Sequence, residues 1–187
     1  MRLFIALDLS ESVRAAISAF CEKLRRALPS ARWVRPEGIH VTLKFIGELS
    51  EDRVGPIQSA LEKIHSLAPV EMAFRGTGFF PNERRPRVFW AGIEASPNLA
   101  RIASDIEAQL EPLGIAREAR EFRPHLTLAR FDELRGIEKL LAALHESAVQ
   151  EFGAQKTSEM HLYESKLGRG GAQYTRVATF HFSPEAK

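Results

Sequence analysis

His40-Val41-Thr42-Leu43 and His125-Leu126-Thr127-Leu128 are two copies of one pattern, His-x-Thr-Leu, and the histidines lie 85 positions apart (125 − 40). Each copy sits in an apolar run and reads as a β-strand. Residues i and i+2 of a strand share a face, so each copy presents an imidazole beside a hydroxyl. Packing alone gives no reason to place the same polar pair on one face of two strands whose other face is apolar. Turned toward one substrate, two such pairs supply a general acid, a general base and two hydroxyl donors.

The offset reaches beyond the motifs. Arg2-Leu3-Phe4-Ile5-Ala6 falls on Arg87-Val88-Phe89-Trp90-Ala91, and both segments read as buried strands. An amphipathic helix follows each. The first begins near Ser10 and carries Val13, Ile17, Phe20, Cys21, Leu24 and Leu28 at helical spacing. The second begins Ser96-Pro97, an N-cap followed by proline at the first helical position, and Gly114 is placed to stop it. After each motif comes another helix, around Ile57 and Leu61 in one half and around Leu140 and Leu144 in the other. Further strands are expected near 70–79, 157–166 and 173–182. The expectation is an α+β fold, a single bilobal domain over residues 1–187 whose repeat spans roughly 1–84 and 85–187. Its two similar lobes are related by a pseudo-twofold axis. Each is a mainly antiparallel sheet with helices on the outer face, and the two share a central cleft. Phe80-Pro81-Asn82-Glu83-Arg84-Arg85-Pro86, rich in turn formers, is the expected inter-lobe loop.

Composition sets outer bounds. A chain of 187 residues suits one domain with a real core. A net charge of +2 does not demand a nucleic-acid partner, and an isoelectric point near 8.8 allows a local anion-binding patch. The single cysteine, Cys21, excludes an intrachain disulfide and reads as a buried structural thiol. The start, Met1 to Asp8, has too short an apolar run for a signal peptide, and no stretch approaches a transmembrane span. A soluble, cytoplasmic monomer with no membrane partner is expected.

Imidazole exchanges protons near neutrality, with an unperturbed pKa of about 6.5. A neutral histidine takes a proton from water while a protonated one gives a proton to a departing oxygen. The threonine hydroxyls can hydrogen-bond phosphate oxygens where charge accumulates. Phosphodiester cleavage fits this equipment. A metal site would need three or more ligands, and neither motif has a carboxylate two residues away. No Cys-x-x-Cys or His-Glu-x-x-His occurs either, so no metal and no other cofactor is expected. Gly168-Arg169-Gly170-Gly171 lacks the ending of a phosphate-binding P-loop and reads as a hairpin turn.

The paired motifs, their spacing and the chain length resemble the two-histidine (2H) phosphoesterase superfamily, in particular its RNA 2′,3′-cyclic phosphodiesterase branch, also called the 2′-5′ RNA ligase family. Supporting segments are Phe4-Ile5-Ala6-Leu7, the run from His40 to Glu48, Arg87 to Gly92, Arg123 to Arg130, and Leu162 to Leu167 with Tyr174 after it. The resemblance implies hydrolysis of a ribose 2′,3′-cyclic phosphate on RNA or nucleotide ends to a 2′-phosphomonoester. It also implies His40 as proton donor, His125 as proton acceptor, and Thr42 and Thr127 on the phosphate oxygens. The motifs themselves are too symmetric to assign acid and base. Two alternatives stay open: an ATP-independent 2′-5′ RNA ligase, and a non-catalytic RNA-binding protein on the same fold.

Phe45 is a candidate for stacking on a nucleobase and Arg130 for meeting phosphate or base. Strict alternation puts both on the face opposite their histidines, so the Phe45 role requires the strand to end or bulge near Lys44. Arg84, Arg85, Arg87, Arg120, Arg123, Lys166, Arg169 and Arg176 are candidates for a basic rim. Trp33 and Trp90 are expected in the core, with Trp33 at the cleft edge. His65, His145, His161 and His181 are read as structural.

Overall fold

The computed structural model describes residues 1–147, 150–168 and 171–183. In chain order it contains β1 (Arg2–Leu7), α1 (Glu11–Ala27), β2 (Arg32–Trp33), β3 (Val41–Glu48), α2 (Val54–Leu61), β4 (Val70–Phe80) and β5 (Val88–Ala95). Then come α3 (Asn98–Leu110), β6 (His125–Arg130), α4 (Ile137–His145), β7 (Glu151–Thr157), β8 (Glu159–Gly168) and β9 (Gly171–His181). The strands form two antiparallel sheets, ordered β3-β1-β8-β9 and β2-β6-β5-β4-β7. Apart from the short edge strand β2, the two orders are equivalent. β1 is a central strand, and Leu3 to Leu7 are each 3% exposed or less. Both its faces are covered, which is why it reads as an unbroken apolar run.

The halves of the sequence are not the halves of the fold. β4, from the first repeat, pairs with β5 in the second sheet, and β8, from the second repeat, pairs with β1 in the first. The turn-rich segment after Phe80 therefore closes a hairpin between neighbouring strands, with the Arg87 N–H donating to the Phe80 carbonyl at 2.7 Å. It does not join lobes as expected; turn composition marks a reversal but not the sheet in which it happens. The helices cross over too. α1 packs on β7 and α4, with the Phe20 and Phe152 rings 5.0 Å apart, while α3 packs on β3 and α2. A single apolar cluster runs through both sheets as a result.

Local signals decide the helix ends. The Ser10 hydroxyl accepts the Val13 N–H and caps α1. Ser96 does not cap α3: its hydroxyl accepts the Glu71 N–H at 2.9 Å and donates to Asn98 at 2.6 Å, tying β4 to the helix start. Gly114, at φ +76°, ends the turn after α3 in the left-handed region. Among the described residues no helix is long and apolar enough to cross a membrane.

Candidate active site

Cross-strand pairing fixes which residues share the cleft face. On β3, Thr42 pairs with Ala6, Lys44 with Ile5 and Phe45 with Phe4, so Leu43 is an extra, bulged residue. On β6, Thr127 pairs with Trp90, Ala129 with Phe89 and Arg130 with Val88, so Leu128 is bulged in the same way. The bulges are 85 positions apart, like the histidines. Each reverses the alternation after the motif, and this corrects the expectation for both following residues: Phe45 lies on the His40 face and Arg130 on the His125 face. Phe45 is 61% exposed there.

The same pairs show that β1 and β5 are offset by 84 positions (Phe4 to Val88), one fewer than the motifs. A slip of one residue exchanges the faces of a strand. Ile5 and Phe89 are thus the equivalent core residues, both 0% exposed, while Phe4 turns toward the cleft. There it stacks under the His40 imidazole with ring centroids 4.7 Å apart.

The two histidines are anchored alike. His125 Nδ1 lies 2.7 Å from the Arg123 carbonyl. A carbonyl only accepts, so Nδ1 carries the proton, and Nε2 is left free to take or give another. His40 likewise hydrogen-bonds the backbone of Gly38, also two residues upstream, in the sense that favours its charged form. β3 and β6 approach within 8 Å between Cα atoms, so the two motif strands meet across the seam between the sheets.

Their surroundings differ. His40 borders a cavity of about 440 Å³ lined by Phe4, Asp8, Arg14, Tyr163, Tyr174 and Arg176 among others. The Tyr174 ring meets it edge-on at 5.3 Å. Burial pushes the His40 pKa from 6.5 down to about 4, against the opposing pull of Asp8 and the Gly38 bond, with Arg14 adding a smaller push downward. At neutral pH the unliganded imidazole is therefore neutral. His125 is half-buried and meets the edge of Phe80 at 5.0 Å. Beside it Trp90 lies over Gly78, where a Cβ would come within 2.2 Å of the indole, so only glycine leaves it room. Trp90 thus faces the cleft with Thr127 instead of filling the core, as the 84-residue offset requires. Trp33 is half-buried, its indole N–H donating to Leu28.

Sequence reasoning missed the polar end of the His40 cavity. Tyr163 donates to Asp8 at 2.7 Å, and Arg176 pairs with the same carboxylate. His161, 1% exposed, lies 3.6 Å from Asp8 and hydrogen-bonds Thr179. Register brings Tyr163 to this face, opposite Phe4 across β1 and β8, and no motif in the sequence announces that pairing. Of the proposed basic rim, Arg84, Arg85, Arg87 and Arg120 are exposed, while Arg123 pairs with Glu121 and Lys166 with Glu164. Arg169, with Gly170, lies outside the described residues; Gly168 and Gly171 pair at the hairpin base. Among the described residues no three His, Cys, Asp or Glu side chains are grouped to hold a metal ion.

Comparison with known proteins gives concordant results. The family model of LigT-like phosphoesterases matches the chain twice, over residues 7–90 and 93–174. The chain is 32% identical to an RNA 2′,3′-cyclic phosphodiesterase from Methanothermobacter thermautotrophicus, over 96% of this chain and 98% of that one. Its fold is similar to that of TT0787 from Thermus thermophilus, with a TM-score of 0.82 and 31% identity over the whole of both chains. It is also similar to E. coli LigT in complex with 3′-AMP, with a TM-score of 0.77 and 25% identity over 97% of each chain.

Proposed function

The chain belongs to the LigT-like phosphoesterases, and on that premise we propose that it is an RNA 2′,3′-cyclic phosphodiesterase that opens the cyclic phosphate to a 2′-phosphomonoester. The equivalence of His40 and His125 carries the proposal. Both are anchored through the backbone two residues upstream, on strands that meet at the seam.

In the proposed reaction His125 Nε2 removes a proton from water as its oxygen bonds to phosphorus. The bond from phosphorus to O3′ breaks on the opposite side, and His40 gives its proton to that oxygen. Thr42 and Thr127 hydroxyls donate to the non-bridging oxygens. Phe45 stacks on a base, and Arg130 meets the phosphate of a neighbouring nucleotide.

The depressed pKa of His40 bears on the donor role. A phosphate charge about 4 Å away contributes about 4 kcal/mol at an effective dielectric of about 20, which is about three pKa units. That is enough to return an imidazole at about 4 to near neutrality. The substrate's own charge then lets His40 take up a proton from solvent. One chain supplies both motifs, which supports a monomer, and a free, buried Cys21 suits the cytoplasm.

The test is incubation with adenosine 2′,3′-cyclic phosphate in the presence of EDTA, with product identification by phosphorus NMR. Adenosine 2′-phosphate is expected. Absence of product overturns the activity, and a 3′-phosphate overturns the assignment of the leaving oxygen. Loss with EDTA and recovery with a divalent ion overturns the metal-free chemistry. On RNA offering both a cyclic phosphate and a 5′-hydroxyl, hydrolysis should outrun 2′-5′ joining.

A further inference from the structure

Lys44 follows the bulged Leu43, and the bulge turns its side chain away from the cleft into the protein, where it is 5% exposed. An ammonium has three donors, and all three are used. Glu107 Oε1 and Oε2 accept at 2.8 and 2.7 Å, and the Ala116 carbonyl accepts at 2.6 Å. Glu107 stands on α3 and also accepts the Glu118 N–H at 3.3 Å. The chain from Ala116 runs through residues 117–124 without helix or strand and delivers His125 at the start of β6. A second cation of the first repeat, Arg53, holds the Leu113 carbonyl on the same connection. In the second sheet the residue after the bulge is Ala129, fully buried and uncharged, so the repeat does not reproduce the pair.

We propose that Lys44 is a positioning residue: its buried pair with Glu107 sets the offset between the His40 strand and the segment that delivers His125. A buried ion pair is replaceable by apolar side chains with little loss of stability, whereas removing one partner strands the other charge. Stability alone therefore does not call for charges at this place. Position does, because a displacement of about 1 Å between reacting groups costs on the order of 100-fold in rate.

The experiment uses the full chain carrying Lys44→Met together with Glu107→Leu, which leaves no charge unpaired. Inorganic phosphate is titrated while the His40 and His125 imidazole signals are followed by NMR, and turnover of adenosine 2′,3′-cyclic phosphate is measured alongside. In the parent protein both signals should move with one dissociation constant. In the folded double variant phosphate should bind about tenfold more weakly, and kcat should fall about 10- to 100-fold with KM changed less. A folded double variant that binds phosphate and turns over like the parent overturns the inference. The turnover arm rests on the proposed phosphodiesterase activity; the phosphate arm does not. An inactive parent whose phosphate response is lost in the double variant overturns that activity and supports the positioning role. If the double variant does not fold, Glu107→Asp, which keeps both charges and draws the carboxylate back by one methylene, should still lower kcat about threefold. Parental kcat in that variant overturns the inference.

Discussion

The two sides of the cleft carry the same motif in different surroundings. On the first side His40 lies on Phe4, faces the edge of Tyr174 and borders a cavity that includes Asp8 and Arg176. On the second, His125 stands at the start of its strand beside Phe80 and Trp90. Both histidines have a backbone anchor two residues upstream, a threonine two residues on and a bulge after it. The residues around them differ. Burial lowers the His40 pKa, and in the proposed reaction this lets an identical motif serve two unlike roles.

The comparison breaks most visibly if one histidine is dispensable. His40→Ala and His125→Ala should each lower kcat on adenosine 2′,3′-cyclic phosphate by about 10²–10⁴-fold, the usual range for a lost general acid or base. The double substitution should lose far less than the product of the two, because the pair acts as a unit. Near-parental turnover in either single variant removes that residue from the mechanism.

Acid stability sharpens the difference between the sides. A histidine in the unfolded chain titrates near 6.5, and folded His40 near 4. Between these values the unfolded chain holds more protons, so stability falls as pH drops from 6.5 toward 4. The contribution is at most about 3 kcal/mol. Denaturant unfolding of a His40→Gln variant at pH 7 and pH 4.5 should show a smaller loss than the parent. An equal loss would place the burial cost elsewhere, with His161, also pushed down by burial, the first candidate.

Smaller effects separate the residues after the bulges. Phe45→Ala should weaken substrate binding by about 1–3 kcal/mol, the value of one stacked base, with little change in kcat. Arg130→Ala should weaken RNA binding regardless of base and lower the salt dependence by about one unit of slope. Parental substrate affinity in Phe45→Ala would contradict the stacking role.

Much of this was legible in the sequence. The repeated His-x-Thr-Leu pattern located the histidines, and the 2- and 3.6-residue periodicities located the strands and helices that carry them. What escaped it was register. A bulge is one residue long, and nothing in Leu43 or Leu128 announces it, so strict alternation puts Phe45 and Arg130 on the wrong face. A one-residue difference in offset likewise equated Phe4 with Phe89, a cleft residue with a core one. Strand exchange between sheets escaped for a related reason: hydrophobic patterning says that β4 and β8 are strands, but the partner is chosen by hairpin closure and tertiary packing. Buried charge is the third case, since Lys44 becomes an interior residue only because of the bulge before it.

The division of labour between the histidines is tested most directly with a cyclic substrate in which sulfur replaces the bridging 3′ oxygen. A thiolate leaves without being protonated, so it removes the need for a general acid but not for a general base. His40→Ala should then turn over within about tenfold of the parent on the sulfur-bridged substrate, while His125→Ala should remain down by about 10²–10⁴-fold. Rescue of His125→Ala in place of His40→Ala, or of neither variant, would contradict the assignment of His40 as the proton donor.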